Sequence, residues 1–241
     1  MMIMMVVAVL AMVQSLFGVG LLLFGTPILL MLGLSFRDAL WVLLPASITV
    51  SSLQLLLDRR LDLPVAKTLL VWTVPSVGFG LLLVLTLTLK IRIDFLVIAI
   101  LIVSVLLRLS SRMRERLMVF CNDYRRAMLL VIGLVHGLTN MGGSLLSVYA
   151  AAQSTDKFAI RQFIALGYVL FAGTQLLVLI ATQTGQYPNP LAYMAIGGAV
   201  FVGLGRRAFD AMNQRRYAFL LNLFMLGCAS MLIGKNIMSA T

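Results

Sequence analysis

Charged residues in this chain fall in short clusters. Between them lie charge-free runs at 1–36, 39–57, 68–89, 127–155, 162–205 and 217–234, with a shorter one at 95–107. A helix needs roughly 20 apolar residues to cross the hydrocarbon layer of a bilayer, and these runs repeatedly approach or exceed that length. The polar stretch Gln183–Pro190, QTGQYPNP, divides the longest run into two by turn chemistry. The chain is 61% hydrophobic and 11% charged, with mean hydropathy +1.05, so no segment is left from which to build a soluble domain. The expected fold is an all-α polytopic membrane protein.

A net charge of +11 in a soluble chain would suggest nucleic acid. Here the basic residues sit in short loops between apolar runs, where they set orientation in the membrane, so no nucleic-acid partner is expected. Two cysteines, Cys121 and Cys228, form neither a disulfide framework nor a metal cluster. The N-terminus MMIMMVVAVL lacks the basic start of a signal peptide and is read as mature structure.

Counting crossings with lysine and arginine gives the topology. Eight full crossings would divide the basic residues 9 to 10, which is no bias. Suppose instead that the first segment (about 1–35) and the fifth (about 127–155) each enter the membrane and turn back. The loops 58–67, 108–126, 156–161 and 206–216 then share one side and hold 15 of the 19, leaving Arg37, Lys90, Arg92 and Lys235. That bias fits the excess of positive charge in cytoplasmic loops. Length agrees, since a continuous 36-residue helix would run about 54 Å against a hydrocarbon core of about 30 Å. Each half then reads as a re-entrant or broken helix pair followed by three transmembrane helices. Six crossings in all leave both termini outside. An odd number of crossings per half makes the two units inverted repeats, 1–107 and 127–241, joined by a basic cytoplasmic linker at 108–126. Weak echoes support the pairing: glycine-rich breaks in segments one and five, Arg37 and Arg161 shortly after them, and Gln54 and Gln175 at comparable depth.

Broken backbone at membrane depth is tolerated where it is buried in protein or lines a cavity. A half-helix starting there presents free N–H groups and a positive dipole end, which suits an anion. The candidate starts are Gly25-Thr26-Pro27, with proline suited to a first turn, and Gly142-Gly143-Ser144. The rival reading is that these glycines only let helices pack closely. The polar side chains around the breaks, including Gln14, Thr26, Thr139, Asn140, Ser144, Ser147, Tyr149 and Gln153, favour a site, because polar groups in lipid are costly unless paired or used. Gln54, Gln175 and Tyr149 are candidates to complete it. Arg37 and Arg161 either gate opposite mouths or simply snorkel at the interface. His136, the single histidine, is either a neutral ring bonded to nearby backbone or a proton carrier or anion contact.

The eight acids lie at loops or span ends, so no carboxylate relay crosses the membrane. There is no acid pair for hydrolysis, no His-Glu metal box and no phosphate loop, and Ser144 has no base in view. An enzyme, a metal and a cofactor are therefore not expected. Pro45 and Pro75 within spans read as kinks or hinges. Arg112, Arg114 and Arg116 read as a solvated linker or a contact for anionic lipid.

Three stretches carry a resemblance. GLTNMGGSLLSVYAAAQ followed by Arg161 resembles the second-half signature of the sulfite exporter TauE/SafE family of permeases. GVGLLLFGTPILLMLGLSFRDAL resembles the first-half signature, and LLLDRRLDLPVAKTLL the basic loop after it. Family members often carry prolines after the second glycine pair, where this chain has Ser144 and Leu145. The resemblance implies an inner-membrane, multi-pass transporter of small sulfur-containing anions such as sulfite or sulfonates. The expected mechanism is alternating access around a midplane site, with the lipid bilayer and a small anion as partners. An anion channel is the nearest alternative, and a non-transporting scaffold a more distant one. A coupling ion and assembly as a homo-oligomer are left open.

Overall fold

The computed structural model describes residues 1–58, 63–86, 123–154, 156–182 and 189–217 and a few single positions outside them. Among these the elements are helical: α1 (Met2–Phe17), α2 (Leu21–Met31), α3 (Phe36–Asp58), α4 (Leu63–Thr86), α5 (Arg125–Thr139), α6 (Gly143–Gln153), α7 (Lys157–Ala181), α8 (Pro190–Val200) and α9 (Arg206–Ala211). A π-helical segment, Phe201–Gly205, joins α8 to α9 without a break. The expected spans at 95–107 and 217–234, the linker 108–126 and the turn 183–190 lie largely or wholly outside the described residues.

Three helices, α3, α4 and α7, are long and apolar enough to cross a membrane. Their outward positions are apolar as well: Val71, Phe79, Leu82, Leu177 and Ile180 are all exposed. A water-soluble surface would not gather so many. By contrast α1, α2, α5 and α6 have 16, 11, 15 and 11 residues, about 16 to 24 Å each, too short to span alone.

The two short pairs are built alike. Gly18 (φ 75°) ends α1 and Asn140 (φ 60°) ends α5, both in the left-handed region that glycine and asparagine tolerate best. Their backbone N–H groups donate to Gln14 O at 2.8 Å and His136 O at 2.6 Å. Two residues later comes a glycine that folds back on the helix just left. A Cβ on Gly20 would lie 2.5 Å from Gln14 N and 2.8 Å from Leu10 O, and one on Gly142 would lie 2.8 Å from His136 N and 2.7 Å from Ile132 O. Both positions meet the backbone six and ten residues earlier.

Packing then crosses between the halves. α3 and α7 run antiparallel, with Asp58 at the end of α3 against Arg161 near the start of α7. α4 packs on α5 and α8 packs on α3, while α7 also touches α4 and α1 meets α8 and its π-helical extension. α4 and α5 run parallel, because Gly133 faces Thr73 while Gly137 faces Val77 and Gly80. Their N-terminal ends therefore lie together.

Candidate functional site

The break between α5 and α6 gathers polar atoms that have no hydrogen-bond partner among the described residues. His136 Nδ1 and Nε2, Asn140 Oδ1, Tyr168 Oη and Gln175 Oε1 are all buried and unpartnered. Their positions are fixed by what the same residues do bond. Asn140 Nδ2 donates to Thr26 Oγ1 at 2.8 Å, and Thr26 Oγ1 is itself committed as a donor to Leu22 O, so the asparagine oxygen is the free atom. Gln175 Nε2 donates to His136 O at 3.4 Å, which sets the glutamine side chain beside the His136 ring, with no bond of hydrogen-bond geometry between Oε1 and the ring nitrogens. The His136 ring sits against Phe171, with centroids 4.6 Å apart, and edge-on to Tyr168 at 6.1 Å. The Tyr168 hydroxyl lies directly over Gly143, where any side chain would collide with it. Gly143 is the first residue of α6, so its amide and the positive end of that helix adjoin the phenol.

The break between α1 and α2 has the same backbone, but here the side chain in the place of His136, Gln14, is fully hydrogen-bonded. Gln14 Oε1 accepts from Leu21 N, the first amide of α2, at 3.2 Å. Its Nε2 reaches Ser47 O at 3.1 Å and Ser51 Oγ at 2.9 Å. Gln54 Nε2 donates to Gln14 O at 3.0 Å. Gln54 and Gln175 are each the nineteenth residue of their helices, α3 and α7, and each binds the carbonyl that caps the preceding broken helix. Among the described atoms around this break, Gln54 Oε1 and Arg161 Nε are left unpartnered.

Other expected residues fall into distinct roles. Gly25-Thr26-Pro27 does not start a half-helix: the chain reverses at Gly18–Gly20, so α2 begins at Leu21 and Pro27 lies inside it. Gly25 instead lets α2 approach Leu43 of α3. Thr26 still reaches the second break, through Asn140. Thr139 Oγ1 donates to Val135 O and accepts from Met141 N, and Ser144 Oγ donates to Met141 O, so both shape the turn. Gly142 is the fold-back glycine. Tyr149 is buried with its ring 5.5 Å from Phe163, packing α6 on α7. Arg37 donates to Leu85 O at 3.2 Å.

Arg161 is not an exposed mouth or snorkelling residue. It is fully buried, ion-paired to Asp58 at 2.6 Å, donating to Ser15 O at 3.3 Å and stacked on Phe209 at 3.3 Å. Burial of this charge is tolerable because a carboxylate, a carbonyl and a ring face share it.

Sequence reasoning missed Tyr168. The signal was present as a stripe: Arg161, Tyr168 and Gln175 recur every seven residues with Ala165 and Ala172 between, which sets them on one face of α7. The partner stripe on α3, Ser47, Ser51, Gln54 and Asp58, was visible in part.

With this geometry in place, comparison with known families decides the class. The sulfite exporter TauE/SafE family model matches residues 3–232. The chain belongs to the TauE/SafE family. That family consists of membrane transporters of sulfur-containing anions and is not one of enzymes. No curated protein and no solved structure matches the chain at a significant level.

Proposed function

We propose that this TauE/SafE protein is an inner-membrane secondary transporter that moves a small, singly charged sulfur oxyanion, sulfite in its hydrogensulfite form or a sulfonate, by alternating access. The observation that carries the reading is the set of unpartnered buried polar atoms at the α5–α6 break. Buried polar groups without partners are rare and cost about 1–3 kcal/mol each, so a cluster of them marks a place where a ligand supplies the bonds. Tyr168 Oη, one nitrogen of a neutral His136 and the α6 amides donate. Asn140 Oδ1 and Gln175 Oε1 accept. Among the described residues no lysine or arginine joins them, which suits one negative charge, as on a sulfonate or on hydrogensulfite, whose own proton one of the acceptors can take up as a hydrogen bond.

Alternating access needs two halves that rock about the site. Equivalent glutamines on antiparallel α3 and α7, and matching fold-backs at Gly20 and Gly142, support inverted repeats at 1–107 and 127–241 joined by the basic linker 108–126. Arg161–Asp58 and Arg37 lie toward opposite ends of α3, about 30 Å apart along the helix, and serve as the two gates. The Arg161 pair ties α3 and α1 of the first half to α7 and α9 of the second and holds one side shut.

Proteoliposomes loaded with unlabelled sulfite test this directly. Uptake of labelled sulfite should saturate and be accelerated by the internal load. Flux rising linearly with concentration, with no counterflow, would identify a channel and overturn alternating access.

A further inference from the structure

Remote from the break, an open pocket of about 610 Å³ lies where α4 and α5 begin, lined by Thr68, Trp72 and residues 123–127. The distance along α5 from Arg126 to Asn140 is about 21 Å, so this pocket is separate from the transport site. Its walls combine three chemistries. Arg125 and Arg126 are exposed and form no hydrogen bond or ion pair with any described residue, although Asp123 also lines the pocket. Arg126 lies over the Trp72 ring at 5.3 Å, which holds its guanidinium across the pocket. Beside the pocket the surface is apolar: Leu70 and Val71, between Thr68 and Trp72 on α4, and Leu130 and Val131, one turn past Arg126 and Ala127 on α5, are 40–52% exposed.

We propose that this pocket binds the headgroup phosphate of an anionic phospholipid, with its acyl chains lying along Leu70, Val71, Leu130 and Val131. The surfaces are those such a lipid needs: arginine cations for the phosphate, an aromatic ring beside them and an exposed apolar strip for the acyl chains. A free anion would use the arginines and leave the apolar strip without a role. Arg125 and Arg126 open α5, and the Arg126 side chain reaches down to the Trp72 ring, so a phosphate seated between them meets both cations above the indole. Nothing in this assignment depends on the transport reading.

The test uses Trp72 as its reporter. The chain has two tryptophans, Trp41 and Trp72, so a Trp41→Phe variant leaves one. Reconstituted in phosphatidylcholine nanodiscs, it is titrated with phosphatidylglycerol brominated on its acyl chains near the headgroup. Quenching at low mole fraction, well below that needed with brominated phosphatidylcholine, is expected. Arg125→Gln with Arg126→Gln should shift the midpoint roughly twentyfold, about fivefold for each arginine. Thr68→Glu, which keeps both arginines, should weaken binding too. Arg206→Gln with Arg207→Gln, an exposed pair elsewhere, should leave it unchanged. Equal quenching by both lipids, equal loss in the control pair, or displacement of the lipid by millimolar inorganic phosphate would overturn the assignment.

Discussion

Gln14 and His136 hold the same place in two broken helices, four residues before the left-handed turn, and their side chains do opposite work. Gln14 has both an acceptor and a donor group, so it can bond the first amide of α2 and the serines of α3 together. The His136 imidazole also carries a donor and an acceptor, but, packed against Phe171 and Tyr168, its nitrogens bond no described residue, and the polar atoms around it stay unpartnered too. In the proposed mechanism one break is thereby structural and the other receives the ligand. The contrast gives a prediction with two signs. Gln14→Leu strands the Leu21 amide and the Ser47 and Ser51 hydroxyls, and should lower stability by about 1–3 kcal/mol for each group left without a partner. Tyr168→Phe removes a hydroxyl that has no protein partner, so the melting temperature should hold or rise. Sulfite transport should fall about ten- to a hundredfold, the value of one hydrogen bond to a charged ligand. Thermal unfolding in detergent beside transport in proteoliposomes reads both. A Tyr168→Phe protein that melts lower yet transports normally would make the phenol a structural group.

At the scale of elements, glycine serves two purposes, and the sequence left both open. Gly142 and Gly143 belong to the break. Gly133 and Gly137, a few residues earlier in the same run, let α5 lie backbone-to-backbone on α4, facing Thr73, Val77 and Gly80. Between membrane helices, where apolar burial gives little drive, such close approach is a main source of packing energy. Gly137→Ala should therefore push α4 from α5 and destabilise by about 2 kcal/mol, in the range of overpacked cores. Gly173→Ala on α7, with open space around it, should be neutral or stabilising by up to about 1 kcal/mol. Equal Tm losses in the two variants would show that α4–α5 proximity contributes nothing. The long spans were legible because clustered charges bracket them: the run 39–57 became α3 at Phe36–Asp58, and 68–89 became α4 at Leu63–Thr86. The start of α2 was not, because Pro27 carries the usual mark of a first turn while the left-handed Gly18 sets the turn earlier. The Asp58–Arg161 pair and the contact of Tyr168 with Gly143 were illegible for a simpler reason. Their partners are far apart in the chain and meet only when α3, α6 and α7 pack.

For the molecule as a whole, one relation organises the rest. α3 and α7 carry glutamines at the same position, bind equivalent carbonyls and run in opposite directions, as the proposed inverted repeat requires: in it, the operation that superposes one half on the other turns it upside down. Each broken pair then enters from the side its half begins on and leaves by the same side. Two facts constrain which sides these are: α4 and α5 start at one end, and most of the basic residues cluster in loops assigned to that end. Single-cysteine variants in a Cys121→Ser, Cys228→Ser background put this to measurement with a membrane-impermeant thiol reagent. Met2→Cys and Ser35→Cys should label from outside intact cells, since α1 and α2 return to the face they left. Leu63→Cys, Tyr124→Cys and Ser154→Cys should label only after permeabilisation. Shifting one broken pair to a full crossing would move every loop after it to the other face and erase the charge bias. Ser35→Cys labelling from the opposite side to Met2→Cys would therefore remove the inverted repeat, and with it the midplane meeting of the two breaks on which anion binding at Asn140 and Tyr168 depends.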